Sequence, residues 1–189
     1  MPRQIEHFTS SGRKILRLAQ NVALKAQHSE ITADHLLLAM TRANDTNAFF
    51  ALQDVDIIES KLARFLSVLH PPTKDHPLRF EGVGWSQEVQ DLFKLSLIDA
   101  TIRGYDYIAS AHLLVGLMRL NSKTVDAVLE HFSLERKEVI KAVEVYFDHS
   151  IEAEKHRIPI SVGQDEAMGC LPMLQELLYE LTRKRKNDE

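Results

Sequence analysis

A gapless internal repeat constrains this sequence more than any single motif. Shifted by 77 residues, the segment opening at Phe8 (FTSSGRKILRLAQNVALKAQHSEITADHLLLAMTRAN) aligns with the segment opening at Trp85 (WSQEVQDLFKLSLIDATIRGYDYIASAHLLVGLMRLN). Identities pair Leu18 with Leu95, Ala23 with Ala100, Ile31 with Ile108 and His35 with His112. They continue through Leu36 and Leu113, Leu37 and Leu114, Arg42 and Arg119, Asn44 and Asn121, and Leu52 and Leu129. Two copies of one supersecondary unit, each with an apolar face, satisfy that face most simply by packing on each other.

Each copy reads as four helices. Thr9 and Ser86 stand where a hydroxyl can cap the first helix. Ile15, Leu16, Leu18, Val22 and Ala26 then recur at spacings of three and four, as do Leu92, Leu95, Ala100 and Ile102 in the second copy. A turn follows, with Gly104 placed to end the helix in the second copy. The second helix opens at Thr32 or Ala109 and carries HLLLAM or HLLVGLM. A short third helix ends near Leu52 or Leu129. The fourth is expected from Asp56, with Glu59 at capping-box spacing, and from just after Ser133 in the second copy. No useful run of alternating residues predicts a strand. The reading is an all-α fold: a tandem repeat of two four-helix units with pseudo-twofold symmetry, plus a C-terminal helical tail.

Residues 1–147 form the double-repeat domain, with repeat one at about 8–69, a loop over 70–84 rich in proline and glycine, and repeat two at about 85–147. Residues 148–189 read as a polar linker and an amphipathic helix, where Pro172 suits a first turn and Leu171, Leu174, Leu178 and Leu181 form a stripe. That stripe is expected to dock on the body, pair with another copy of the chain as a homo-oligomer or meet a partner's groove.

Composition excludes several classes. The formal net charge of −4 offers no general attraction to nucleic acid or to an anionic membrane. No apolar run reaches the length of a membrane span, and the opening MPRQIEHFTSS lacks a signal-peptide core, so a cytoplasmic protein is expected. Cys170 is the single cysteine, which rules out an internal disulfide, and its neighbours Gly169 and Leu171 carry no charge that would activate it. The nine histidines show no metal-ligand spacing, no nucleophile elbow is present, and no phosphate-cradling G-x-x-x-x-G-K-[ST] loop occurs. His35 and His112, at equivalent positions beside leucine runs, read as histidines bonding the adjacent turn within each unit. Arg183, Lys184, Arg185 and Lys186 read as a solvated helix end. No enzyme activity, cofactor or metal is expected.

On these residues the chain resembles the amino-terminal domain of the Clp family of AAA+ unfoldases. The motifs are Phe8-Thr9, Leu18-Ala19-Gln20 and Ala33-Asp34-His35-Leu36-Leu37-Leu38-Ala39-Met40, with the last repeated as Ser110-Ala111-His112-Leu113-Leu114-Val115-Gly116-Leu117. The likeness covers roughly residues 8–147, and the tail is similar to the segment that joins this domain to the first ATPase ring. The resemblance implies a non-catalytic module that binds protein substrates, adaptors or Clp protease and unfoldase subunits in protein quality control. It stands without its motor, either as a separate protein or as the piece that precedes one. In one branch the family domain binds phosphorylated arginine through the threonine of the opening and the acid of the second helix. Carried over, the first site joins Thr9 with Asp34. The second joins Ser86 with Ala111, which has no charge to offer a guanidinium. The rival reading is a regulatory or ligand-sensing helical repeat acting in transcription or stress response, although the apolar second helices offer few side chains that read bases.

Because both repeats lie before residue 148, removing residues 148–189 is expected to leave a core that unfolds in one cooperative transition. A molten product, seen as lost near-ultraviolet circular dichroism, would show the tail to be part of the domain.

Overall fold

The computed structural model describes residues 8–72, 83–105 and 107–149. The leucine stripe from Leu171 to Leu181, Cys170 and the basic cluster at 183–186 lie outside the described residues.

Repeat one contains α1 (Ser10–Lys25), α2 (Ala33–Arg42), α3 (Asn47–Asp54) and α4 (Glu59–Leu69). Repeat two contains α5 (Gln87–Ile102), α6 (Ser110–Arg119), α7 (Lys123–His131) and α8 (Arg136–His149). Thr9 Oγ1 accepts from the Gly12 N–H and Ser86 Oγ from the Val89 N–H, so both anticipated hydroxyl caps form.

Four of the helices end in one device. After α1, α3, α5 and α7 a residue at positive φ reverses the chain: Gln27 (57°), Asp56 (59°), Gly104 (77°) and Ser133 (55°). At each, paired backbone bonds close a Schellman motif, as Ile57 N to Leu52 O and Asp56 N to Gln53 O, both 2.9 Å, do after α3. Three of the four positions are not glycine, which hides the device from a sequence search. Asp56 is spent in this turn, so the fourth helix starts later than expected, with Ile58 as its N-cap.

The all-α fold carries two short pairings between the repeats. Glu30–Ile31 (β1) pairs in parallel with Gly84–Trp85 (β2), and Phe8 forms an isolated parallel bridge with Ile108. Two-residue pairings are too short to leave an alternating pattern. Their placement is reciprocal: the lead-in to α5 pairs with the lead-in to α2, and the lead-in to α1 pairs with the lead-in to α6. The matching backbone bonds, Thr9 N to Ile108 O and Ser86 N to Ile31 O, are both 3.0 Å. The pseudo-twofold relation is therefore written in the backbone.

The core is continuous across the repeats. Phe93, fully buried, takes edge-on contacts from Phe8 at 5.5 Å and Trp85 at 5.3 Å, one aromatic from each lead-in. α8 crosses to α3 of the other repeat, where Asn47 donates to Tyr146 O at 3.2 Å and Tyr146 donates to Asp54 at 2.6 Å. Ile102 departs from its expected place in the apolar stripe and is 76% exposed. It is the last residue of α5, and its repeat-one counterpart is Lys25.

Where α5 crosses α6, the small residues have been traded. Repeat one has the buried Ala19 and Ala39 where repeat two has Ser96 and Gly116. A Cβ on Gly116 would stand 2.2 Å from Ser96 Oγ and 3.0 Å from Leu92 O. Gly116→Ala is therefore expected to cost about 1–3 kcal/mol through overpacking, despite the better helix propensity of alanine. Adding Ser96→Ala rebuilds the repeat-one pair and is expected to restore most of the loss in a urea-unfolding double-mutant cycle; simple additivity would contradict this packing account.

Candidate functional site

The reciprocal crossings create two seams, and their chemistry differs. At one, α1 begins beside the lead-in to α6, where Thr9 N–H reaches Ile108 O, three residues before Ala111; the Thr9 and Ser11 hydroxyls share a 2.8 Å hydrogen bond. At the other, α5 begins beside the start of α2, bringing Ser86 and Glu88 to Ile31 and Asp34. There Glu88 accepts from the Ala33 N–H at 3.4 Å. Glu88 is the counterpart of Ser11, and Asp34 of Ala111. One seam is neutral and the other carries two acids.

This geometry corrects the expected pairing of site residues. Thr9 and Asp34 lie at opposite ends of the antiparallel α1–α2 hairpin, as the Lys14–Asp45 ion pair at one end and the His28–His35 contact at the other show. The 16-residue α1 separates them by about 24 Å. The fold instead ties Ser86 N–H to Ile31 O, three residues before Asp34, and Thr9 N–H to Ile108 O, three residues before Ala111. A threonine and an acid in one repeat cannot meet because the caps contact the opposite repeat, a relation that exists only after the two units cross.

Asp34 is buried, at 5% exposure, and its oxygens are occupied. Thr32 donates its hydroxyl to Oδ1, and His70 Nδ1 donates to Oδ2 at 3.1 Å. Burial alone would raise the pKa of this carboxyl. The charge of His35 and the bonds from Thr32 and His70 outweigh it and hold the group below the ordinary carboxylate range.

His70 belongs to a second set of residues that the sequence reading passed over. His35 Nδ1 accepts from the Thr32 N–H at 2.9 Å, which assigns the proton to Nε2; that N–H then donates to His28 Nδ1 at 2.8 Å. His28 Nε2 in turn reaches Pro71 O at 3.4 Å. The positions of His28, His35 and His70 recur 77 residues on as Tyr105, His112 and Phe147. Repeat one thus has a polar imidazole cluster where repeat two has an aromatic one, with His112 centred 4.8 Å from Tyr105 and 5.0 Å from Phe147. The repeat alignment held this signal: the same shift that pairs His35 with His112 pairs His70 with Phe147.

The two repeat histidines bond the turn before their helices, as expected. His112 Nδ1 accepts from the Ala109 N–H at 2.9 Å, matching His35 with Thr32, so each histidine tethers the residue before its helix. Ala109 lacks the hydroxyl of Thr32, so this arm of the cap stands alone in repeat two. Burial depresses the His35 pKa, against the pull of Asp34. Burial, aided by the charge of Arg103, pushes His112 down to about 3.

Among the described residues, no group of three or more His, Cys, Asp or Glu side chains is arranged to hold a metal ion. No helix among them is long and apolar enough to cross a membrane. α2 and α6 are each buried over nine consecutive residues, Ala33–Thr41 and Ser110–Met118, which leaves neither free to enter a DNA groove.

The Clp repeat (R) N-terminal domain family matches residues 7–132. The chain is 26% identical over 187 residues to a chaperone protein ClpB of Oceanobacillus iheyensis, covering 95% of this chain and 21% of the relative. It is 26% identical over 127 residues to the negative regulator of genetic competence ClpC/MecB of Bacillus subtilis, covering 67% of this chain and 15% of that protein. The chain thus spans about a fifth or less of these relatives. Among solved structures, the N-terminal domain of ClpD from Arabidopsis thaliana aligns with a TM-score of 0.63 at 17% identity, over 76% of this chain and 96% of that one. The N-domain of ClpV from Vibrio cholerae aligns with a TM-score of 0.61 at 14% identity, over 78% and 89%. These likenesses show the fold.

The depressed His112 has a consequence for stability. The fold requires it neutral, while the unfolded chain takes up a proton below the ordinary histidine pKa of about 6.5. Stability from this residue is complete above pH 6.5 and falls as pH drops toward 3, by about 2 kcal/mol between pH 8 and pH 5. His35 acts in the same direction. His112→Gln, whose amide oxygen can keep the Ala109 bond, is expected to flatten that part of the urea-unfolding profile; an unchanged slope would contradict the assignment.

Proposed function

Because the chain belongs to the Clp repeat (R) N-terminal domain family, we propose that it is a non-catalytic protein-binding module. It recognises substrates or adaptors, or contacts the Clp chaperone–protease machinery, in protein quality control. This reading sets its work in the cytoplasm. The observation that carries it is the family match over residues 7–132, which covers repeat one and repeat two as far as α7, with the residues of both seams.

The geometry supports the acidic seam as the place of contact. Its support is that Ser86 N–H donates to Ile31 O and Glu88 accepts from the Ala33 N–H, at the start of the helix that carries Asp34, so that two carboxylates favour a basic segment of a partner chain. Asp34 is reached by exchange. Its Oδ2 is held by His70, whose side chain is 41% exposed, and a cationic side chain replaces that imidazole with a stronger charge-assisted bond. Thr9, at the neutral seam, contributes a hydroxyl already engaged by Ser11 and the Gly12 N–H, so its part is weaker. Phosphorylated arginine fits neither seam as well as a plain basic side chain. The neutral seam has no acid for the guanidinium, and the acids of the other would repel the phosphoryl group.

Asp34→Ala is expected to weaken binding of a lysine- and arginine-containing peptide about tenfold, the loss of one charge-assisted contact, whereas Ala111→Gly leaves it nearly unchanged. Fluorescence anisotropy with a labelled peptide measures both, with a melting curve to confirm that each variant is folded. Equal affinities would remove the acidic seam as the contact site.

A further inference from the structure

Residues 59 and 136 are equivalent, each the first residue of the fourth helix in its repeat. In repeat two this position is Arg136, whose guanidinium reaches back over the end of α6. Nη1 donates to Met118 O at 2.6 Å and Leu120 O at 2.7 Å, and Nη2 donates to Asp126 at 2.5 Å. The arginine thus satisfies carbonyls left over at a helix C-terminus, where the backbone dipole favours a cation.

In repeat one the position is Glu59, which has no hydrogen to donate. The space that Arg136 crosses is here a cleft of about 310 Å³, lined by Thr41, Asn44, Phe49, Gln53, Ile57 and Glu59 among others. Five of these line up 77 residues on with Met118, Asn121, Asp126, Glu130 and Leu134. Asn44 and Gln53 are exposed and carry amide oxygens that accept hydrogen bonds, Glu59 supplies a half-exposed carboxylate, and Phe49 and Ile57 form an apolar wall. Arg42 already donates to Glu59 Oε1 at 2.8 Å. That does not saturate the group: in repeat two, Asp99 accepts Arg103 at 2.8 Å and Arg119 at 3.1 Å together.

We propose that this cleft binds an arginine side chain of a partner protein through Asn44, Gln53 and Glu59, since Ala43 O, the counterpart of the Leu120 O that Arg136 reaches, already accepts from Thr46. The planar guanidinium matches spread acceptors better than the compact ammonium of lysine, and the aliphatic stem has Phe49 and Ile57 to lie against. The cleft lies at the C-terminal end of α2. The ten residues of that helix, about 15 Å, separate it from Asp34 at the other end. The proposal rests on the reading of the chain as a protein-binding module, and adds a second, guanidinium-selective contact to it.

The test is a titration of the isotopically labelled full chain with N-acetyl-arginine amide, followed by amide chemical shifts. N-acetyl-lysine amide and N-acetyl-citrulline amide serve as controls. Arginine amide is expected to move the resonances of Asn44, Phe49, Gln53 and Glu59, with lysine and citrulline about tenfold weaker. Glu59→Arg removes the carboxylate and fills the cleft from within, and is expected to abolish those shifts, with a melting curve to confirm that the variant is folded. Should that variant misfold, Glu59→Gln keeps the side-chain volume and is expected to weaken binding several-fold. Equal binding of lysine amide, shifts confined to the Asp34–Glu88 seam, or a Glu59→Gln titration unchanged from the parent would each overturn the proposal. If arginine amide leaves the cleft unmoved while a basic peptide still binds in an Asp34-dependent way, only the cleft is refuted and the module's general function stands.

Discussion

Two backbone hydrogen bonds organise this molecule. Thr9 N–H to Ile108 O and Ser86 N–H to Ile31 O each tie the cap of one repeat's first helix to the lead-in of the other repeat's second helix. Each bond satisfies a buried backbone pair, which cannot be left open without loss. Because both run between repeats, neither unit is complete alone. The aromatic contacts of Phe8 and Trp85 on Phe93 lie beside these crossings and seal them with apolar area. The seams, and with them every candidate contact at Thr9, Ser86 and Asp34, exist only because the units exchange their lead-ins.

Within that shared backbone the repeats have diverged by compensated substitution. Ala19 with Ala39 becomes Ser96 with Gly116, which conserves the space between two crossing helices. His28, His35 and His70 become Tyr105, His112 and Phe147, which exchanges a hydrogen-bonded cluster for an aromatic one. The buried Asp34 belongs with the polar version, since the imidazoles of His35 and His70 and the hydroxyl of Thr32 face it. Ala111 belongs with the apolar version, where an acid would have no such donors. Arg103 closes the aromatic cluster from outside, lying 4.0 Å over the Phe147 ring while paired with Asp99 and Glu144. Charge is thus concentrated at one seam and neutralised away from the other.

Much of the helical framework was legible because its signals are local. Hydroxyl caps at Thr9 and Ser86, the histidine tethers at His35 and His112, and the spacing of Ile15, Leu16 and Val22 depend on neighbours within one turn or two. The start of the fourth helix was misjudged because Asp56 suits an N-cap by type but is consumed by a left-handed turn. Ile102 was misplaced because helical spacing says nothing about where the covering helix ends. Of the candidate site, Ser86 and Asp34 were identifiable as residues, but the crossing that ties Ser86 to Ile31, and the contacts of Glu88 and His70, were not.

The amino-acid sequence by itself determined that two equivalent helical units must cover each other, since a periodic apolar face repeated 77 residues later has no other nearby surface to bury it. Only the tertiary structure decided which residues of the two units share a site. Periodicity assigns a side chain to a face of its own helix, whereas the neighbours across a seam depend on how two separate backbones cross. Here they cross reciprocally, so residues 55 positions apart, such as Ala33 and Glu88, come into hydrogen-bonding distance while Thr9 and Asp34 of the same unit stay a helix length apart.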